Sequence, residues 1–332
     1  MLTNLYLPAA FVFSFLGTWL IVVLSRRQQW LELPNSRSSH TDPTPSCGGV
    51  AIVTVFVVTA ALALKDSNPG FNLVLLLLLC TCIAAMGLLD DIYQLGIRAR
   101  ISTQFLVVAG ALALFGIPAI PLFNFTLQES WPVYLLVTMA FLWFINLFNF
   151  MDGIDGLGAT EVIFICMAVI IITFADSTLE FRLLLLILLA SVSGFLLLNF
   201  APARIFMGDI GSNFLGYILG LSGLLSTTMG ITNIWVWCIL AGVFIVDASS
   251  TLVSRMLEGE TWYYAHRTHA YQLAAVHFNS HSKVVMVVTL LNCLWLLPLA
   301  WVAHYQPAWG LPLTIIAWLP LFIIVRLIRK IR

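Results

Sequence analysis

Hydrophobic residues run along this chain in long blocks broken by short polar stretches. Eleven blocks fall at about 4–24, 48–64, 72–89, 103–121, 132–148, 158–175, 181–200, 212–229, 232–254, 284–304 and 310–326. Each suits a helix that crosses the roughly 30 Å hydrocarbon core of a bilayer. The block 72–89, NLVLLLLLCTCIAAMGLL, carries no charge at all, whereas the division near Gly230 between the eighth and ninth blocks is the least marked. The pattern predicts an all-α polytopic membrane protein of about 11 transmembrane helices. Composition agrees, since a chain of 332 residues that is 61% hydrophobic and 9% charged cannot cover a soluble domain with polar groups. No polar stretch is long enough for a separate domain, so residues 1–332 read as one membrane unit.

Lys and Arg are retained on the cytoplasmic side of short loops, and their distribution sets the orientation. With Met1 outside, 13 of the 15 basic residues fall inside, and only Lys65 and Arg182 remain outside. This predicts an extracytoplasmic N-terminus, a cytoplasmic C-terminus, and inside loops at about 25–47, 90–102, 149–158, 201–211 and 255–283. The first block has no basic segment before it and no small-residue cleavage site, and so reads as a retained helix. The six cysteines read as reduced packing residues, and Cys80 and Cys82 lie on different sides of a helix, which argues against a shared metal. Zero net charge and the lack of an aromatic-interleaved basic patch give no sign of a nucleic-acid partner.

The same threading gathers Asp90, Asp91, Asp152, Asp155, Asp209 and Asp247 toward the inner face. Carboxylates at a hydrocarbon boundary are costly unless they pair or bind something. Asp90 and Asp91 are adjacent in LLDDIYQLGIRARIS (88–102), where a divalent ion, an Arg-bound phosphate, a base role, or simple pairing with Arg98 would each account for them. In INLFNFMDGIDGLG (145–158), Asn146, Asn149, Asp152 and Asp155 recur every three residues among glycines that let a backbone approach a ligand. In NFAPARIFMGDIGS (199–212), Asp209 between Gly208 and Gly211 fits either an N-cap acid or a metal ligand. In the first inside loop, Arg37 and His40 suit a phosphate or nucleotide, or a plain solvated loop. His266, Arg267 and His269 can face a diphosphate or a metal, whereas His277 and His281 read as surface residues and too few ligands accompany them for zinc. Asp247, two turns inside the ninth block with Ser250, Thr251 and Ser254, predicts a polar stripe facing the protein interior or a water-filled cleft, or else an interhelical hydrogen bond. Carboxylates, cations and a His pair at one membrane face suit Mg²⁺-assisted phosphoryl transfer. There is no GxxxxGK[ST] loop and no HExxH helix.

Taken together, the Asp90–Asp91 pair, NLFNFMDGIDGLG at 146–158, NFAPARIFMGDIGS at 199–212 and HRTH at 266–269 resemble the polyprenyl-phosphate N-acetylhexosamine-1-phosphate transferases of glycosyltransferase family 4. The resemblance runs from Arg37 to about His269 and implies a bacterial inner-membrane enzyme. It implies that undecaprenyl phosphate attacks the sugar-linked phosphate of a UDP-N-acetylhexosamine and that UMP leaves. It further implies Mg²⁺, with Mn²⁺ as a substitute, held by Asp209 and helped by Asp91. Asp90 would sit against the lipid phosphate. Asn149, Asp152 and Asp155 would hold the uridine nucleotide, with Asn146, Asn199, Arg37 and His40 also on the substrate side, and His266, Arg267 and His269 would hold the diphosphate or sugar. The bilayer is then a partner, and a homodimer is left open. HRTH in place of three adjacent histidines, the following AYQ, and a Pro- and Gly-containing loop without lysine look like the O-antigen-initiating branch rather than the muramoyl-pentapeptide branch. The sugars this branch implies are N-acetylglucosamine or a 6-deoxy sugar such as N-acetylfucosamine or N-acetylquinovosamine.

Two other classes compete. A secondary transporter would place its acids near the bilayer midplane within a repeat, and neither feature is visible here. A non-catalytic lipid-carrier subunit would tolerate loss of Asp209. For the orientation, a His40→Cys variant is expected to react with a membrane-impermeant maleimide only when the inner face is opened; labelling of intact cells would reverse the topology.

Overall fold

A computed structural model describes residues 3–28, 31–32, 43–65, 67, 71–259 and 267–330. The chain forms α1 (Thr3–Gln28), α2 (Gly49–Leu64), α3 (Leu73–Tyr93), α4 (Ile97–Phe115), α5 (Trp131–Met151), α6 (Leu157–Ile172) and α7 (Leu179–Asn199). It continues through α8 (Gly208–Thr228), α9 (Ile234–Leu240), α10 (Gly242–Leu257), α11 (Ala270–Phe278), α12 (His281–Leu291), α13 (Leu297–Tyr305) and α14 (Gly310–Lys330). Every predicted block falls on a helix or on a closely spaced run of helices. Among the described residues seven helical spans are long and apolar enough to cross a membrane, and an eighth is added if the pair α9 and α10, bent by 74°, is one broken span. α2 and α6 are apolar but shorter, at 16 residues each. The protein is therefore an all-α polytopic membrane protein.

The departures from the pattern have local causes. The fourth block was expected to reach residue 121, but α4 stops at Phe115, where Gly116 takes φ +81° and Pro118 follows. Beyond it β3 (Ile120–Leu122) and β4 (Phe125–Leu127) make a small antiparallel hairpin, and β1 (Leu31–Glu32) pairs with β2 (Thr44–Pro45) elsewhere. Hydropathy alone does not separate an apolar strand from the end of an apolar helix. The tenth block is one continuous path, but a π-turn at Asn292–Leu296 joins α12 to α13.

α8 is the central helix, packed against α3, α5 and α2 and buried almost without interruption from Ile210 to Ser226. Small residues permit the contacts. A Cβ at Gly87 of α3 would strike the backbone of Asp209 and Ile210, so only glycine lets α3 lie this close to the head of α8. Around this centre, α1 and α6 pack on α7, and α10 packs on α14.

Polar contacts bind the α6 region to the path through α12 and α13 at three depths. Asp155, just before α6, lies 3.2 Å from Nδ1 of His281 at the start of α12. Inside the bundle, Asn292 Nδ2 donates to Glu161 Oε2 at 2.6 Å, with both side chains buried. Beyond α6, Asp176 Oδ2 is 3.1 Å from His304 Nε2, and the other ring nitrogen of His304 is 3.1 Å from Thr232 Oγ1. A buried carboxyl group whose partner is removed keeps its desolvation cost, typically about 1–3 kcal/mol. An Asn292→Leu variant should lose about that much stability in thermal unfolding, and the Glu161→Leu/Asn292→Leu double variant should recover part of it. A double variant no more stable than Asn292→Leu would remove the pair from this role.

Candidate functional site

The site forms where the C-terminal ends of α3, α5 and α7 meet the N-terminal ends of α4, α6 and α8. Its first element is the acid pair that ends α3. Gln94, in the left-handed region at φ 50°, closes the helix and turns the chain into α4. That turn brings Arg100 back over the pair, where Nη1 donates to Asp90 Oδ2 at 2.8 Å and lies 4.0 Å from Asp209 Oδ2. Arg100, rather than Arg98, is thus the partner of Asp90. Asp90 is 5% exposed, whereas Asp209 is 32% exposed and faces the open side.

Asp91 points the other way. Its two carboxylate oxygens accept the backbone N–H groups of Asp209 at 2.7 Å and Ile210 at 3.0 Å, both in the first turn of α8. A carboxylate at this end of a helix satisfies orphan donors and complements the helix dipole. The capping role open to Asp209 in the sequence therefore falls to Asp91, contributed by another helix. Gly208, at φ +75°, turns the chain into α8 beside the Asp91 carboxylate, where a Cβ would crowd that group. This leaves the Asp209 side chain to α5: Asn149 Nδ2 donates to Asp209 Oδ1 at 2.6 Å and to Ser212 Oγ at 2.8 Å.

One turn deeper lies an amide layer. Gln104 of α4 donates to Asn213 Oδ1 at 3.0 Å and accepts from Asn146 Nδ2 at 2.8 Å, and Asn213 in turn donates to the Asp209 carbonyl at 2.8 Å. Asn146, expected on the substrate side, is thus a strut linking α4, α5 and α8. Sequence reading passed over Gln104 and Asn213, although an amide within an apolar block is itself a signal of this kind. Asn199 is likewise structural. It accepts from Gly156 N at 3.1 Å and donates to the Ile205 carbonyl at 3.0 Å, which ties the loop before α6 to the loop before α8.

The loop after α5 carries Asp152 and Asp155. Asp152 has no ion-pair partner among the described residues. Burial pushes its carboxyl up to about 8, the Gly158 N–H opposes that shift, and the charges of Asp209 and Asp155 add to it. Asp155 accepts Ala203 N–H at 3.0 Å on Oδ2 and meets His281 on Oδ1. His281, expected at the surface, is half-buried in this corner.

Asp247 repeats the device of Asp91. Its oxygens accept the N–H groups of Ala270 and Tyr271, both at 2.9 Å, so a buried acid of α10 caps α11. Both expectations for Asp247 are met, since it is buried with Thr251 and Ser254 on the inward face of α10 and also makes the interhelical hydrogen bonds. The cap fixes His269, whose Nδ1 is 3.5 Å from Asp247 Oδ1 and whose ring stacks between Phe150 and Tyr271 at 6.5 and 5.7 Å. Tyr271 O–H donates to the Phe150 carbonyl at 2.8 Å. His269 therefore lies against Phe150, the α5 residue that follows Asn149, but it is buried, at 4% exposure. Arg267 precedes it in the same segment, while Arg37, His40 and His266 lie outside the described residues.

Among the described residues no three acidic, histidine or cysteine side chains converge to enclose an ion by themselves. The donor set instead suits an ion that takes one or two carboxylates together with substrate oxygens, which is the usual way Mg²⁺ is held. Asp90 and Asp209 touch side chain to side chain, so two carboxylates share a single guanidinium there. A divalent cation or a shared proton would relieve that excess of negative charge.

Such a bundle, with a carboxylate, amide and guanidinium cluster at one face of a polytopic membrane protein, defines a membrane-embedded enzyme class rather than a packing motif. Residues 73–227 match the family described as Glycosyl transferase family 4, a stretch that contains Asp90, Asp91, the 146–158 segment and Asp209. The chain is 28% identical over 293 residues to a probable undecaprenyl-phosphate N-acetylglucosaminyl 1-phosphate transferase of Bacillus subtilis, covering 85% of this chain and 81% of that protein. It is 30% identical over 230 residues to a phospho-N-acetylmuramoyl-pentapeptide-transferase of Symbiobacterium thermophilum, covering 63% and 67%. It is 27% identical over 316 residues to a decaprenyl-phosphate N-acetylglucosaminephosphotransferase of Mycobacterium leprae, covering 85% and 79%. The chain belongs to glycosyl transferase family 4, among the polyprenyl-phosphate hexosamine-1-phosphate transferases.

A pH prediction follows from Asp152. Between its ordinary value of 3.8 and about 8 the folded protein holds a proton there that the unfolded chain has released. Stability from this group is therefore complete at acid pH and is lost as pH rises through about 8. The thermal midpoint of the purified protein should fall across that range, and Asp152→Asn should flatten the fall. Identical pH slopes for the two proteins would show that Asp152 does not carry the effect.

Proposed function

We propose that this protein transfers an N-acetylhexosamine 1-phosphate from its UDP-sugar to undecaprenyl phosphate, releasing UMP and leaving undecaprenyl-diphospho-sugar. The observation that carries this reading is the cluster of Asp90, Arg100, Asn149 and Asp209 at the head of α8, open on one side and braced on the others. An oxygen of the lipid phosphate forms a bond to the sugar-linked phosphorus as the bond from that phosphorus to the UMP oxygen breaks. A phosphate monoester already carries most of its negative charge near neutral pH. The work of the site is then alignment and charge neutralisation rather than proton removal.

Arg100, held by Asp90 and only 36% exposed, supplies fixed positive charge beside Asp209. Asp209 Oδ2 is the oxygen that would hold Mg²⁺, together with phosphate oxygens of the substrates, while Asn149 fixes the opposite oxygen of the same carboxylate. When bound, the ion would neutralise charge on the transferring phosphate. Asp91, expected beside the ion, is engaged by the α8 amides and serves by fixing where Asp209 stands. The 152–156 loop holds the uridine nucleotide, and the segment 266–269 holds the diphosphate or sugar.

N-acetylglucosamine is the first donor in this reading, in keeping with the names of the Bacillus and Mycobacterium relatives. The HRTH segment and the AYQ that follows it favour a role in starting O-antigen chains over transfer of a muramoyl-pentapeptide. The active face is the cytoplasmic one in the orientation that the basic residues favour.

The test is UMP release by purified protein given undecaprenyl phosphate, Mg²⁺ and a panel of UDP-N-acetylhexosamines that includes the 6-deoxy sugars and UDP-N-acetylmuramoyl-pentapeptide. Release that requires both lipid and metal is expected, and Asp209→Asn should lower it by about a hundredfold or more. Full activity in that variant would remove Asp209 from the metal site. Release with the muramoyl donor alone would move the protein to the peptidoglycan branch, and no release from any donor would overturn the transferase reading.

A further inference from the structure

Asp155 is the motif acid that binds three separate parts of the chain together. Its own loop precedes α6, its Oδ2 accepts the Ala203 N–H from the loop before α8, and its Oδ1 lies 3.2 Å from Nδ1 of His281, which begins α12. We propose that His281 is a positioning residue for the nucleotide-sugar: it fixes the Asp155 carboxylate, and through it the 152–156 loop, against a rigid helix. The proposal rests on the reading above in which that loop holds the uridine nucleotide.

The local geometry decides the form of the contact. His281 Nδ1 also lies 3.4 Å from the Asp155 backbone nitrogen. The amide contact requires a bare ring nitrogen and the carboxylate contact requires an N–H, so the two exclude each other. The carboxylate contact is the shorter and involves a charged acceptor, which makes it the stronger. Nδ1 therefore carries a hydrogen and donates to Asp155.

The loop needs such an anchor. It contains Gly153 and Gly156, the latter at φ +77°, and glycine gives a segment little stiffness of its own. Among the described residues its ties include Gly158 N–H to Asp152, Gly156 N–H to Asn199, and the contacts of Asp155 with Ala203 and His281. α12 is a suitable post. Ser280 caps its first turn by accepting Lys283 N–H, and the buried Glu161–Asn292 bond locks its far end to α6, the helix that the loop enters. With His281 only 19% exposed, the pair is shielded enough for its geometry to persist. A binding loop held this way is ordered before its ligand arrives, and removing one anchor transfers the cost of ordering to the binding step.

The experiment compares wild type, His281→Ala and His281→Asn, the last of which returns an N–H donor near the position of Nδ1. Steady-state transfer is measured against UDP-N-acetylglucosamine and against undecaprenyl phosphate, and UMP binding is measured directly by calorimetry. His281→Ala should raise KM for the nucleotide-sugar and weaken UMP binding by about tenfold, with kcat and the KM for the lipid changed by less than about threefold. His281→Asn should recover most of the binding loss. An unchanged nucleotide KM and UMP affinity in His281→Ala would overturn the proposal while leaving the transferase reading intact. So would equal losses toward both substrates that His281→Asn does not recover, since that is how a merely structural residue behaves. Wild-type protein that neither turns over nor binds UMP would overturn the proposal together with the reading on which it rests.

Discussion

The joint between α3 and the head of α8 is the contact on which the rest of the site depends. Gly87 lets the two helices approach until no side chain fits between them, and Asp91 then closes the approach by accepting two amides of the first turn of α8. A helix N-terminus in a low-dielectric bundle would otherwise expose unsatisfied donors and uncompensated positive dipole charge. Because Asp91 meets that need, the neighbouring acids do not have to. Asp90 turns to Arg100, and Asp209 turns to Asn149 with its second oxygen 4.0 Å from Arg100. Three carboxylates brought together at one helix joint thus hold three different posts.

The same device recurs at the other end of the site. Asp247 caps α11 as Asp91 caps α8, and in both cases the acid belongs to another helix. Each cap converts a helix start, which is where a loop leaves and geometry is least determined, into a fixed point. The consequence is local rigidity around residues that the chain otherwise connects through glycine-rich turns. Catalysis by alignment and charge neutralisation asks for that rigidity, because a displaced phosphate or ion loses most of the benefit.

Away from the site, satisfaction of polar groups in hydrocarbon governs the architecture. Gln104, Asn146 and Asn213 satisfy one another beneath the acids, so the floor of the site is itself a hydrogen-bonded layer that joins three helices. The α6 region and the path through α12 and α13 are joined at three depths by Asp155–His281, Glu161–Asn292 and Asp176–His304. The π-turn begins at Asn292, where the middle contact is made. This seam carries the chain from one face of the bundle to the other without leaving the acids of α6 and its flanks alone in an apolar setting.

The sequence by itself determined the membrane class, the helical blocks and the gathering of acids on one face, because hydropathy over a bilayer thickness and the alternation of spans depend on chain order alone. It also determined the family, since NLFNFMDGIDGLG and NFAPARIFMGDIGS are local strings. What only the tertiary structure decided was the division of labour. Asp91 and Asp209 lie at the same helix start, and a linear pattern assigns the cap to the nearer residue in sequence; packing gave it to Asp91. Asn146 shares a motif spacing with Asn149, and Asn199 opens the motif that holds Asp209, but both face neighbouring helices and loops. His281 lies 126 residues from Asp155, so no periodicity could join them. The bend between α9 and α10 and the π-turn were hidden because each lies within an apolar run whose composition does not change. Pairing between distant side chains is set by which helices touch and at what rotation, and that information exists only once the bundle is assembled.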